Sequence, residues 1–318
     1  MTRTPAWLFW SEIVAASLGL AAVAWALLTE TGGVLHGHPA YLVMLAVTAL
    51  VAVTVIVLSI MRRRSRPGWR RGLRGIAVVL GLLWVLSVAW LRPFTAISPA
   101  LEAMEDGGAV AVSETATAIV LEPVGDPSPV GVFFQPGALV DARAYAAVLR
   151  PLAEGGHTVV IPKQPLGIAF FATGAFDSAR EAHPDVNAWV AGGHSLGGVV
   201  ATISADAADA DATAPAVGLL LFGSYPAGDV SGTLETAVES ISGTRDGLST
   251  PEDIEASRAN LPEDAQFTVI EGASHAQFGD YGPQPGDGEP LISDDEARSQ
   301  ISAAAVAFVD RIAAALEP

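Results

Sequence analysis

The chain has no cysteine among its 318 residues. Disulfides, zinc–thiolate centres and a cysteine nucleophile are therefore excluded. Lysine is nearly absent too: Lys163 stands alone against 16 arginines. Basic residues are scarce in one part of the chain and acids in the other. Residues 1–92 hold nine bases and only two acids, Glu12 and Glu30. Residues 93–318 hold eight bases against 32 acids, a net charge of −24, which disfavours polyanions and argues against a nucleic-acid partner. The mean hydropathy of +0.42 is high for a chain of net charge −17. Two unlike halves reconcile the two numbers.

The first half carries three apolar stretches, at residues 7–29, 40–61 and 75–91. Crossing a bilayer takes about 20 apolar residues, so all three are read as transmembrane helices. The first is too long for a signal peptide and lacks a small-x-small cleavage site. The second has no charge and no polar face, which argues against a buried helix of a soluble core. The connection after the second stretch carries Arg62, Arg63, Arg64, Arg66, Arg70, Arg71 and Arg74, whereas the one after the first carries no Lys or Arg. The positive-inside rule puts the arginine loop and the N-terminus in the cytoplasm. Three crossings then leave everything after Arg92 extracytoplasmic. Clamped between two spans, the arginines do not read as a nucleic-acid patch. Glu12 is read as an interfacial residue. His36 and His38 lack an evident third ligand, so no metal site is expected, and no cofactor motif stands elsewhere.

Residues 93–109, with Pro93, Pro99, Gly107 and Gly108, read as a linker, and 110–318 as one domain. Strand patterns fall at 109–112, 117–121, 130–134, 158–161, 187–191, 217–222, 238–242 and 266–270. Helix patterns fall at 141–154, with Asp141 as N-cap, and at 172–182, 251–260 and 294–316. Buried strands alternating with helices indicate an α/β domain with a mostly parallel sheet covered on both faces.

The most informative run is Gly192-Gly193-His194-Ser195-Leu196-Gly197-Gly198. It follows a short strand and opens an alanine-rich helix to about residue 208. A Gly-x-Ser-x-Gly in that context is a nucleophile elbow. A serine hydroxyl is a weak nucleophile and needs a base that is itself oriented by a third group. Candidates follow in chain order. The strand 238–242 leads into Asp246, and the strand 266–270 leads into His275, the one histidine after Ser195. Asp253 and Asp264 compete with Asp246 as the acid. His194 is read as packing locally, and His157 and His183 as surface residues. An oxyanion needs two N–H donors. Leu196 at the helix start is one. Ala138, in the turn Pro136-Gly137-Ala138-Leu139, is the other, with Leu139 as runner-up.

From Val130 to Ser299 the chain resembles the α/β-hydrolase superfamily, and within it bacterial membrane-tethered hydrolases akin to dienelactone hydrolases. The resemblance rests on Phe134-Gln135-Pro136-Gly137-Ala138, the elbow, Ser242-Gly243-Thr244-Arg245-Asp246-Gly247 and Ser274-His275-Ala276-Gln277-Phe278-Gly279-Asp280-Tyr281-Gly282. It implies an α/β-hydrolase fold and a Ser195–His275–Asp246 triad and supports the oxyanion assignment; an acyl-enzyme released by water is expected, with no cofactor. Two departures stand out. Gln135-Pro136-Gly137 replaces the histidine-glycine pair of many esterases. The gap from Phe222 to Glu235 is too short for a large lid, so a shallow, open site is expected. The expected protein is a serine esterase at the cell membrane acting on a small-molecule or lipid ester. The rivals are an acyltransferase on envelope lipid or glycan, a peptidase, and a non-catalytic partner-binding module. Phe170, Phe171 and Phe176 are read either as a pocket wall or as core. Residues 279–290 are read as a loop over the site or a solvated connector.

Overall fold

The computed structural model describes residues 6–61 and 69–316. It divides into two compact units, Met1–Pro93 and Phe94–Pro318. In the first unit, helices α1 (Ala6–Thr29), α3 (Pro39–Met61) and α4 (Trp69–Trp90) are each long and apolar enough to cross a membrane; a short α2 (Thr31–His36) follows α1. Several polar side chains of this unit find partners within it. Trp84 Nε1 donates to Thr48 Oγ1 at 2.8 Å, and Tyr41 donates to Val88 O at 2.9 Å. Glu12 accepts from Ser59 at 3.0 Å and pairs with Arg74 at 2.5 Å. In an apolar medium an unpaired polar group costs several kcal/mol, and these pairings avoid that cost. The α4 helix starts at Trp69, six residues earlier than the apolar run suggests, so Arg71 and Arg74 stand on a helix and not in a loop. Arg3, Arg62, Arg63, Arg64 and Arg66 lie outside the described residues.

The second unit is built on an eight-stranded sheet: β1 (Val110–Glu114), β2 (Ala118–Pro123), β3 (Val130–Gln135), β4 (Val159–Pro162), β5 (Ala188–His194), β6 (Ala216–Phe222), β7 (Ala237–Gly243) and β8 (Gln266–Ile270). Their order is β1-β2-β4-β3-β5-β6-β7-β8. The β1–β2 and β2–β4 pairs are antiparallel and the rest parallel. Continuous apolar runs give strands buried on both faces, and the two-residue period divides each run between two cores. Val132, Phe134, Val190, Leu220 and Phe222 join one core. Phe133, Trp189, Ala191, Leu219 and Leu221 join the other. Helices α5 (Ala146–Glu154) and α9 (Asp294–Leu316) cover the first face, the latter through Ile301, Phe308 and Val309. Helices α6 (Ala175–Ala182) and α7 (Leu196–Ala208) cover the second. The α9 helix also has the length and apolarity of a span, but its apolar face is occupied by the sheet.

The structure differs from the sequence expectation at Asp141 and His157. Asp141 does cap, accepting from Arg143 N at 3.1 Å, but it caps a 3-10 turn (Ala142–Tyr145) and the α-helix begins only at Ala146. His157 is buried and not a surface residue: its Nδ1 bonds Val130 O at 2.9 Å and its Nε2 faces Asp310 at 3.2 Å.

Candidate active site

In a parallel sheet, the loops leaving the carboxyl ends of the strands converge on one edge. Here the ends of β3, β5, β7 and β8 lead into the turn 136–139, Ser195, Asp246 and His275 respectively.

Ser195 joins β5 to α7 with φ 52° and ψ −124°. Such a conformation costs a non-glycine residue about 1–3 kcal/mol and persists only if its surroundings hold it. They do: Ser195 N donates to Phe222 O at 3.0 Å, and Ser224 Oγ donates to Ser195 O at 2.7 Å. The glycines are required by close approach. A Cβ on Gly193 would stand 2.4 Å from the Gly197 carbonyl carbon, and one on Gly197 would stand 2.2 Å from Gln135 O. The tight turn leaves Ser195 half-buried at the start of α7.

His275 Nδ1 and Asp246 Oδ2 are 2.8 Å apart, and both side chains are fully buried. The other carboxylate oxygen of Asp246 accepts from Leu248 N at 2.9 Å and Ser249 N at 2.7 Å. A carboxylate facing Nδ1 fixes the proton there. Nε2 is thereby left as an acceptor, buried and with no hydrogen-bond partner among the described residues. Ser195 does not bond it in this rotamer; such contacts often tighten only when substrate is bound. Asp253 instead closes a capping box with Thr250 at the start of α8 (Pro251–Ser257), and Asp264 is exposed. Neither competes for His275.

The backbone donors separate as cleanly. Leu139 N–H is engaged, donating to Gly167 O at 2.7 Å. Among the described residues no hydrogen bond engages the N–H of Ala138 or Leu196. The turn is pinned from below by Tyr145, whose hydroxyl accepts from Gly137 N at 2.8 Å and so donates to His194 Nδ1, also at 2.8 Å. The His194 ring lies 4.4 Å from that of His275. Burial, with His275 beside it, holds the His194 pKa well below its usual value, so the imidazole stays neutral. Burial also pushes the Tyr145 phenol up, which keeps its proton available for His194.

One further residue escaped the sequence reading. In the segment 279–290, Asp287 Oδ1 accepts from Gly247 N at 3.1 Å, His275 N at 3.0 Å and Gly288 N at 2.7 Å, and Oδ2 accepts from Ala276 N at 2.8 Å. This carboxylate ties the Asp246 loop to the His275 loop. Burial alone would raise its pKa, but the N–H donors of Ala276, Gly247, His275 and Gly288 outweigh it and hold the group below the usual carboxylate value. A depressed pKa in the folded state means stabilisation present above the unfolded value and lost as pH falls through the folded one. Asp287→Ala strands several donors, at about 1–3 kcal/mol in total, and is expected to lower Tm by about 3–8 °C. Thermal melts of variant and wild type should converge as the pH is taken below about 3.8. A gap that stays constant as the pH falls well below that value would refute the tie.

Among solved structures the chain is similar to a dienelactone hydrolase-like promiscuous phosphotriesterase from metagenomic libraries, at 18% identity over 64% of this chain and 99% of that one, with a TM-score of 0.46. It is also similar to a thermophilic esterase from the Planctomycetes species Thermogutta terrifontis, at 17% identity over 64% and 91%, with a TM-score of 0.45. No match was found among curated proteins. A model of the alpha/beta hydrolase family matches residues 131–299, more than half the chain, from β3 into α9. With the elbow, the sheet order and this match in hand, the chain belongs to the alpha/beta hydrolase family.

Proposed function

We propose that the chain is a membrane-anchored serine hydrolase of carboxylesterase type. The observation that carries this is the buried 2.8 Å pair of His275 Nδ1 and Asp246 Oδ2, on the loops beside a strained Ser195. His275 Nε2 takes the Ser195 proton as Oγ attacks the acyl carbon. The oxyanion that forms is held by the N–H groups of Leu196 and Ala138, where the α7 dipole also favours negative charge. The ester C–O bond breaks, and the alcohol leaves with the proton from His275. Water then repeats the sequence on the acyl-enzyme and releases the acid. The three N-terminal helices anchor the chain, with the hydrolase unit on the extracytoplasmic side.

Fluorophosphonate labelling tests the reading. Wild type in detergent is expected to label, and Ser195→Ala is expected not to. Absence of label on folded wild type would move the weight to a non-catalytic binding module. A membrane-impermeant form of the reagent should label intact cells; labelling only after permeabilisation would invert the orientation. Added acceptor alcohols, if converted to esters in preference to hydrolysis, would make the enzyme an acyltransferase.

A further inference from the structure

Two segments fasten to the backbone of Leu139, next to the proposed oxyanion donor Ala138. On one side Leu139 N donates to Gly167 O at 2.7 Å. Gln164 Nε2 adds bonds to Pro136 O at 2.8 Å and Gln135 Oε1 at 2.9 Å, and Gln135 Nε2 reaches Ala172 O at 3.3 Å. The segment 164–172 is thus stitched to the turn. It presents Phe170 and Phe171 to the outside, 48% and 62% exposed, whereas Phe176, a few residues on, is core. It packs against α7, where Ile203 is 49% exposed. Large apolar side chains left exposed beside a site mark a surface that meets an apolar partner.

The chain itself indicates which partner. On its other side Leu139 O accepts from Phe94 N at 2.7 Å, and Asp141 N donates to Phe94 O at 3.0 Å. Phe94 comes four residues after Trp90, the last residue of α4. A four-residue segment reaches about 14 Å at most. Arg92, within that tether, is engaged in its own unit by Thr29, Glu30 and the Trp25 ring. The turn beside Ser195 is therefore tethered by a very short segment to a helix with the length and apolarity of a span.

We propose that the substrate is a lipid acyl ester taken directly from the bilayer that holds the chain, with Phe170 and Phe171 entering the bilayer surface beside the site. The proposal rests on the hydrolase and membrane-span readings above. Aromatic side chains gain most at the boundary between headgroups and acyl chains. The excess of acids in residues 93–318 is repelled by anionic lipid, so the lipid is uncharged or zwitterionic. Cleavage breaks the ester C–O bond of the lipid, passes the acyl group to Ser195 and releases the lipid alcohol with the proton carried by His275.

The full chain, reconstituted in phosphatidylcholine vesicles, should be given two probes: a fluorogenic long-chain ester dissolved in the bilayer and a water-soluble acetate ester. Wild type is expected to cleave the vesicle-borne ester. Phe170→Ser combined with Phe171→Ser should lower the ratio of vesicle to soluble rates at least about tenfold. An insertion of about 20 Gly/Ser residues between Arg92 and Pro93 should lower the same ratio by diluting the site away from the surface. Cleavage of the acetate alone, or a ratio unchanged in both variants, would overturn the proposal while leaving the hydrolase reading standing. No cleavage of either probe, together with no fluorophosphonate label, would overturn both.

Discussion

His275→Ala is expected to lower kcat on a short aryl ester by about 10⁵–10⁶, with the fold intact. That corresponds to about 7–8 kcal/mol of transition-state stabilisation. The size follows from the shortage of alternatives. In the proposed mechanism Ser195 gives its proton to Nε2 of His275, which is buried and has no hydrogen-bond partner among the described residues. The neighbouring imidazole of His194 is close, with ring centroids 4.4 Å apart, yet it has no acceptor to offer. Its Nδ1 receives the Tyr145 hydroxyl proton, because that hydroxyl accepts from Gly137 N and its buried proton has no other acceptor among the described residues. In a neutral imidazole the proton then sits on Nε2. His194 therefore cannot stand in for His275 as the proposed base. Steady-state kinetics beside a thermal melt check this. A variant within about tenfold of wild type would show that another group takes the proton.

The parts of the site visible in the sequence are those set by local chain geometry. Ser195, Asp246 and His275 each follow a strand within a few residues, and strand ends are marked by apolar runs giving way to Gly, Thr and Asp. What escaped depends on partners remote in sequence. Asp287 sits in Gly286-Asp287-Gly288, which reads as an ordinary turn; its partners Gly247 and His275 are 40 and 12 residues away. The Asp310 partner of His157 is 153 residues off, so the histidine's burial had no local sign. The start of α4 lies ahead of the apolar run for the same reason. Arg74 interrupts the apolar run, but Glu12, 62 residues earlier, neutralises it within the first unit. Tyr145 shows the limit in the other direction. Its helical spacing marks it as core, which it is, and says nothing of the hydroxyl that joins the turn at Gly137 to the elbow at His194.

Asp246→Asn is the second large effect, and the more discriminating one. The carboxylate has two distinct duties. Oδ1 accepts from Leu248 N and Ser249 N, and Oδ2 accepts from His275 Nδ1. An asparagine in the same rotamer must keep its oxygen toward the two backbone donors, since turning its NH₂ there would set donor against donor. The NH₂ then faces His275 and donates to Nδ1, which drives the ring proton to Nε2. That nitrogen can no longer accept from Ser195, so the base is lost although no atom has moved far. The expected fall in kcat is about 10⁴ at neutral pH, with little change in KM. Asp253→Asn is the matched control: its carboxylate closes the capping box with Thr250 at the start of α8, so any loss there is of helix stability, about 1 kcal/mol, and not of kcat. Equal losses in the two variants would deny Asp246 its part in catalysis. A fall confined to Asp246→Asn would assign the acid, because the two changes differ only in whether the lost oxygen faced an imidazole or a helix N-terminus.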